Sequence, residues 1–397
     1  MNPDLERLHP YPFEKLRELF ADISPPADAP LNLGIGEPQH EPPAFVREAL
    51  ADSLSGLSRY PATRGLPALR EAMARWLCRR FHLPGLDPES EVLPVAGTRE
   101  GLFAIAQAVI DSSRSPLVLC PNPFYQIYEG AALLAGAEIR FMDCREDTGF
   151  LPNFDSLGEE TWQRCQLLYL CNPGNPHGAV MPMHQLKELV LKAREHDVVL
   201  VSDECYSEIY DDESEPPPGL LQACVEAGLP DYRNCLVFHS LSKRSNLPGL
   251  RSGLVAGDAR LIASFLRYRT YQGCALPLHH QQASIAAWGD EQHVIENRRL
   301  YREKFDAVCA ALEGSLEFRR PAAGFYLWPR TPEPDTDFAR ALFAQHHITV
   351  LPGRYLGRDA GSGNPGEQRI RMALVPPLAD CLRAAERIRS YCQSRGH

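Results

Sequence analysis

The chain is 397 residues long, 44% hydrophobic and 23% charged, with a formal net charge of −10. That is enough chain and apolar content for a large core and a second, smaller domain. The acidic balance excludes a broad nucleic-acid surface, while a few placed arginines can still bind an anion.

No apolar run approaches membrane-spanning length, so no membrane partner is expected, and Met1-Asn-Pro-Asp-Leu5 lacks a secretory pattern. The 12 cysteines show neither C-x-x-C nor metal-ligand spacing, and read as free thiols of a reducing cytoplasm.

In chain order, a short helix is expected over 13–22 within a Pro-rich segment. Leu31-Asn-Leu-Gly-Ile-Gly36 follows, where two glycines allow close backbone approach. Residues 43–57 and 67–82 read as helices, the second with Leu69, Met73, Trp76, Leu77 and Phe81 near helical spacing. The loop between them carries Tyr60.

Residues 91–110 read as strand, tight turn at Gly97 and helix, with Thr98 as N-cap. Such an end aims N–H groups and a positive dipole at an anion. Leu117–Cys120 is a strand leading into Phe124, Tyr125 and Tyr128, rings that either stack on a flat ligand or pack in the core.

Leu167–Leu170 is a strand ending in Asn172-Pro-Gly-Asn-Pro-His-Gly178, a loop more elaborate than a turn requires, before a helix over 183–196. Val198-Val-Leu-Val201 runs into Asp203, Glu204 and Tyr206. A carboxylate ending a buried strand is costly without a partner. Asp203 is therefore a site candidate, with a helix N-cap as the plain alternative. The Pro-rich stretch 213–219 reads as a surface loop. A helical region over 259–288, broken at 272–277, precedes a long helix over 294–312 that crosses to a second domain. Short strands and helices alternate from there to the C-terminus.

The richest stretch runs from Leu236 to Gly253: an apolar strand, then Ser240, Ser242 and Lys243, and Arg251 beyond the Pro248-Gly249 turn. Hydroxyls and a guanidinium suit a phosphate. A lysine at the end of a buried strand suits a covalent link to an aldehyde. Pyridoxal 5'-phosphate carries both groups. A lone lysine would be read as a solvated loop residue. Here five candidate units, at 97–99, 122–125, 172–178, 203–206 and 240–243, end apolar strands, the edge at which open α/β sheets bind ligands.

Five segments together, in order and spacing, resemble the class I/II aminotransferases of fold type I over nearly the whole chain. They are Asn172–Gly178, Ser202-Asp-Glu-Cys-Tyr206, Ser240-Leu-Ser-Lys243, Pro248-Gly-Leu-Arg-Ser-Gly253 and Arg369-Ile-Arg371. The resemblance implies an α/β fold with a mostly parallel central sheet flanked by helices in a large domain, 45–290. A smaller α+β domain would combine 1–44 with 291–397. It implies pyridoxal 5'-phosphate linked to Lys243, which then moves the substrate proton. Asp203 would hold the ring nitrogen protonated, Asn175 and Tyr206 would bond the phenolate oxygen, and Tyr125 would stack on the ring. The Thr98 and Arg99 backbone, Ser240, Ser242 and Arg251 would hold the phosphate.

Tyr60 would reach the phosphate of a neighbouring subunit, so a homodimer with shared sites is implied. Gly36, Asn175 and Arg371 would bind the substrate, Arg371 through its α-carboxylate. His177 departs from the family's usual threonine, with little effect expected. Arg369 is an extra cation that either assists recognition or pairs at the surface.

Within the family, the wording at 60–70, 122–128, 239–253 and 269–275 is similar to the succinyldiaminopimelate aminotransferases of lysine biosynthesis. That likeness implies glutamate as amino donor and N-succinyl-2-amino-6-oxopimelate as acceptor. Both partners carry carboxylates away from the reacting carbon. Further cations are therefore expected, with Arg59, Arg64, Arg99, Arg244 and Arg269 as candidates. The alternatives are an aspartate, aromatic or LL-diaminopimelate aminotransferase, or a β-lyase acting on carbon–sulfur bonds. A ligand-sensing regulator on this fold would need a DNA-binding domain, for which the roughly 30 residues before the first motif leave no room.

Overall fold

Strands covered on both faces read as unbroken apolar runs, and such runs form the centre of this protein. The computed structural model describes residues 1–395. Its strands, in chain order, are β1 (Leu31–Asn32), β2 (Val92–Val95), β3 (Leu117–Asn122), β4 (Glu138–Asp143), β5 (Cys165–Cys171), β6 (Val199–Asp203), β7 (Cys235–Ser240), β8 (Gly253–Gly257), β9 (Tyr326–Leu327), β10 (Ile348–Thr349), β11 (Leu351–Pro352) and β12 (Ile370–Ala373).

A seven-stranded sheet runs β2-β8-β7-β6-β5-β3-β4. Strand β8 is antiparallel to both neighbours, and every other pairing is parallel. Every residue of β2, β3, β6, β7 and β8 is buried. Leu69, Trp76, Leu186, Leu189 and Trp288, from helices Pro67–Phe81, Met183–Glu195 and Leu278–Gly289, pack in one core on the sheet. Leu102, Ile105, Tyr128 and Phe265, from Thr98–Val109, Gln126–Leu134 and Ala259–Gln272, pack in a second. This is the large domain of the expected fold class.

The smaller domain holds the antiparallel sheet β11-β12-β9 and the parallel pair β1-β10. Helices Gln292–Leu312, Asp335–His346 and Leu378–Ser394 close its own core, in which Leu31 and Leu33 meet Phe305, Phe338, Met372 and Ile388.

Several local expectations need correction. Gly97, not Thr98, caps the helix Thr98–Val109, with φ +84°. The expected helix over 43–57 is split into Ala44–Asp52 and a 3-10 turn, Leu54–Ser58. Two short helices, Glu159–Arg164 and Leu220–Glu226, carry no extended periodicity in sequence; they exist because they bury Trp162 and the pair Leu220 and Leu221. Arg369 lies outside β12 and bridges to Arg330. Among the described residues, all 12 cysteines are free and no helix is long and apolar enough to cross a membrane.

Candidate active site

The parallel strands β5, β6 and β7 end at Cys171, Asp203 and Ser240, and all three residues line one cleft of about 490 Å³. The same cleft takes Gly36, Thr98, Arg99, Tyr125, Asn175, Tyr206, Ser242, Lys243, Arg251 and Arg371. Sequence units from seven separate segments therefore converge. Tyr60 does not: it is fully exposed and lies outside the cleft of its own chain.

At the floor, Asp203 Oδ2 accepts a 2.7 Å bond from the Tyr128 hydroxyl, and Oδ1 accepts from the Cys205 N–H at 3.3 Å. Burial pushes the Asp203 carboxyl above its ordinary range. Tyr128 is fully buried and stacked on Tyr169, 4.7 Å between ring centroids. In sequence Tyr128 is one of three aromatics; its offset of three residues from Tyr125 is the signal that both could serve one site. Phe124, by contrast, is core, stacked on Phe141. Glu204, next along from Asp203, turns the other way. It accepts from the Leu220 N–H at 2.8 Å and faces His239 at 3.1 Å.

A carboxyl whose folded pKa is raised contributes most at low pH and loses that contribution as pH rises through the folded value. Tyr128→Phe removes the donor that offsets this loss. In cofactor-free protein it should cost about 1–3 kcal/mol at neutral pH and less in acid. Thermal denaturation across pH measures this, and an equal cost at both ends would place the Tyr128 effect in packing alone.

Lys243 Nζ donates to the Gly36 carbonyl at 2.6 Å and lies 5.1 Å from the Phe325 ring centroid. Burial first, then the Arg371 charge, lowers its pKa to about 8. Its backbone carbonyl accepts from Asn297 Nδ2 at 3.2 Å, so the long helix Gln292–Leu312 steadies the lysine turn.

One end of the cleft is built for an anion. The Thr98 hydroxyl is turned to Cys205 Sγ at 3.1 Å, so the N–H groups of Thr98 and Arg99 are what this helix end presents. The Arg251 guanidinium crosses Gly97 so closely that a Cβ there would fall 2.1 Å from Nη2. Arg251 Nη1 donates to the Pro248 carbonyl at 2.9 Å, and the Ser240 hydroxyl accepts from the Ser242 N–H at 3.1 Å.

Also lining the cleft, Arg371 is only 5% exposed. Its Nη1 donates to Asn175 Oδ1 at 3.2 Å and its Nη2 to the Gly34 carbonyl at 3.1 Å, while Nε is buried without a partner. Such an under-satisfied guanidinium suits a carboxylate ligand. Tyr11, Pro12 and Phe13 form part of the cleft wall, a contribution absent from the sequence reading. Arg99 Nε donates to Tyr125 Oη at 2.7 Å, and Nη2 reaches Tyr11 Oη at 3.4 Å.

Of the other four cations considered, Arg244 is buried between Trp76 and Trp288 and paired to Glu291, and Arg269 is buried against Glu100. Arg59 and Arg64 lie outside the cleft, Arg64 facing Glu89. Arg369 pairs with Glu146 at 2.6 Å and also lies outside. His177 stacks on Phe150 and accepts from the Ala179 N–H. Burial, then the Arg369 charge, lowers its pKa to about 3, so it is neutral at physiological pH.

A buried acid, an amine of lowered pKa, an anion cradle and a carboxylate clamp lining one cleft fit pyridoxal 5'-phosphate with an amino acid beside it. The sequence comparison agrees. Residues 28–388 match the aminotransferase class I and II family, and the chain belongs to that family. The family uses pyridoxal 5'-phosphate.

Among curated relatives, an LL-diaminopimelate aminotransferase from Nitratidesulfovibrio vulgaris (strain DP4) is 33% identical over 390 residues, 97% of each chain. An aminotransferase from Neisseria meningitidis Z2491 superposes with a TM-score of 0.94 at 48% identity, covering 98% of this chain and 100% of that one. A probable N-succinyldiaminopimelate aminotransferase from Thermus thermophilus gives a TM-score of 0.81 at 30% identity, covering 96% and 99%.

Proposed function

We propose that this aminotransferase moves an amino group between L-glutamate and a diaminopimelate-type 2-oxo acid, with N-succinyl-2-amino-6-oxopimelate as the acceptor. When bound, the cofactor supplies an electrophilic aldehyde carbon and an electron-withdrawing ring. The rest is the work of side chains. Asp203 would keep the ring nitrogen protonated. Lys243 would hold the cofactor through its aldehyde carbon, and its amine, when free, would take and return the substrate α-proton. Burial lowers the Lys243 amine to about 8 in the cofactor-free protein, toward the uncharged form that a base requires. Asn175 and Tyr206 bond the ring oxygen, and Tyr125 covers one face. The anion end, with Thr98, Arg99, Ser240, Ser242 and Arg251, fixes the phosphate. Arg371 aligns the α-carboxylate and Gly36 contacts the substrate. Tyr60, exposed as it is, completes the cradle of a second copy in a homodimer.

The observation that carries the substrate reading is Arg99. Of the five distal cations considered, it alone lines the cleft. Its guanidinium donates to the hydroxyls of Tyr125 and Tyr11 on the cleft wall, and we assign it the second carboxylate. Arg99→Leu should lower kcat/KM for glutamate about 10- to 100-fold and for alanine less than about twofold, whereas Arg371→Ala lowers both alike. Equal losses in Arg99→Leu would remove it from the distal site.

The test of the function is a transamination panel with glutamate as donor and succinylated 2-amino-6-oxopimelate, oxaloacetate and aromatic oxo acids as acceptors. The names of the curated relatives favour a second reading, in which LL-diaminopimelate itself takes part in the amino transfer. Adding LL-diaminopimelate to the panel as an amino donor separates the two. Pyruvate and ammonia released from cystathionine would instead indicate a β-lyase.

A further inference from the structure

Tyr326 has no role in the assignments above, yet it touches three of them. It sits on β9 and pairs with Ala373 of β12, the strand that bears Arg371. It is 4% exposed and lines the cleft. The Arg371 guanidinium rests 4.4 Å from its ring centroid. Its hydroxyl stands 3.1 Å from the Tyr206 hydroxyl. The backbone at Gly36 passes so close that a Cβ there would fall 2.0 Å from the same oxygen.

Two phenols share one hydrogen bond, and either can donate. If Tyr206 donates, its proton is spent on Tyr326. If Tyr326 donates, the Tyr206 proton faces the cleft, and its donor strength rises because linked hydrogen bonds polarise one another. An anionic oxygen in the cleft favours the second arrangement.

We propose that Tyr326 is a positioning residue for amino transfer: its hydroxyl donates to Tyr206 and frees the Tyr206 proton for the cofactor's ring oxygen, while its ring carries Arg371. The inference rests on the roles proposed above for Tyr206 and Arg371. It makes one side chain the link between the clamp that selects an amino acid and the phenol that tunes the cofactor.

The experiment is a pH titration of the visible absorbance of the cofactor-loaded protein without substrate. A donor to the ring oxygen favours the form with more negative charge there, so its loss raises the apparent pKa. Tyr326→Phe should raise it by about half a pH unit, and should add no shift when Tyr206 is already phenylalanine. Because the ring remains, KM for glutamate should stay within about twofold. Tyr326→Leu removes the ring as well and should raise that KM about tenfold. A shift in Tyr206→Phe but none in Tyr326→Phe overturns the inference and leaves the Tyr206 reading standing. No shift in either variant overturns both. A KM rise in Tyr326→Phe equal to that in Tyr326→Leu overturns the division between ring and hydroxyl.

Discussion

Lys243→Ala is expected to reduce turnover by at least about 10⁴-fold, because one amine both anchors the cofactor and moves the proton. The variant should still fold. Lys243 Nζ makes its hydrogen bond to a single backbone carbonyl, that of Gly36, and burial already disfavours its charged form. Removing it therefore removes a cost as well as a contact. Borohydride treatment of cofactor-loaded wild type, followed by peptide mapping, should find the label at position 243 and none in the variant. Label elsewhere, or turnover near the normal rate in the variant, would refute the assignment.

Asp203→Ala should separate chemistry from stability in the same way. The carboxyl is buried and its pKa is raised, so the cofactor-free protein keeps a strained acid at neutral pH. Its removal should leave the melting temperature of the cofactor-free protein within a few degrees of wild type, while kcat falls on the order of 10²–10³-fold through loss of a preorganised charge partner. If stability and kcat fall together, Asp203 is a structural aspartate and the ring-nitrogen role goes with it.

Much of the site was legible because of how α/β sheets are built. An apolar run that halts at Asp203, Ser240 or Asn172 reports both a buried strand and the edge at which ligands bind. The residues that escaped reading reach the cleft by tertiary contact alone. Tyr11 to Phe13 open the short helix Pro12–Leu19, and a helix start far from the other motifs in sequence does not say which cleft it borders. Tyr326 sits in a two-residue strand too short to carry a pattern. Tyr128 was visible as an aromatic, but only the packed helix Gln126–Leu134 shows that its hydroxyl reaches Asp203.

Arg244 misled for a local reason. One step along a helix turns a side chain by about 100°, so the neighbour of Lys243 points into the Trp76 and Trp288 layer. Arg269, another candidate cation, is drawn inward by Glu100 instead of reaching the cleft. The Thr98 cap failed because Gly97 alone tolerates both the left-handed turn and the approach of Arg251.

Strands β6 and β7 lie side by side, with Asp203 opposite Phe238 in the ladder. The separation between acid and amine is thereby tied to backbone pairing between two fully buried strands. The Tyr11–Phe13 wall, Arg99 and Leu356 come from helix ends and connecting segments. Remodelling such borders can redirect which oxo acid is admitted without disturbing proton transfer beneath, so efforts to re-aim this catalyst should begin at the perimeter and leave the ladder untouched.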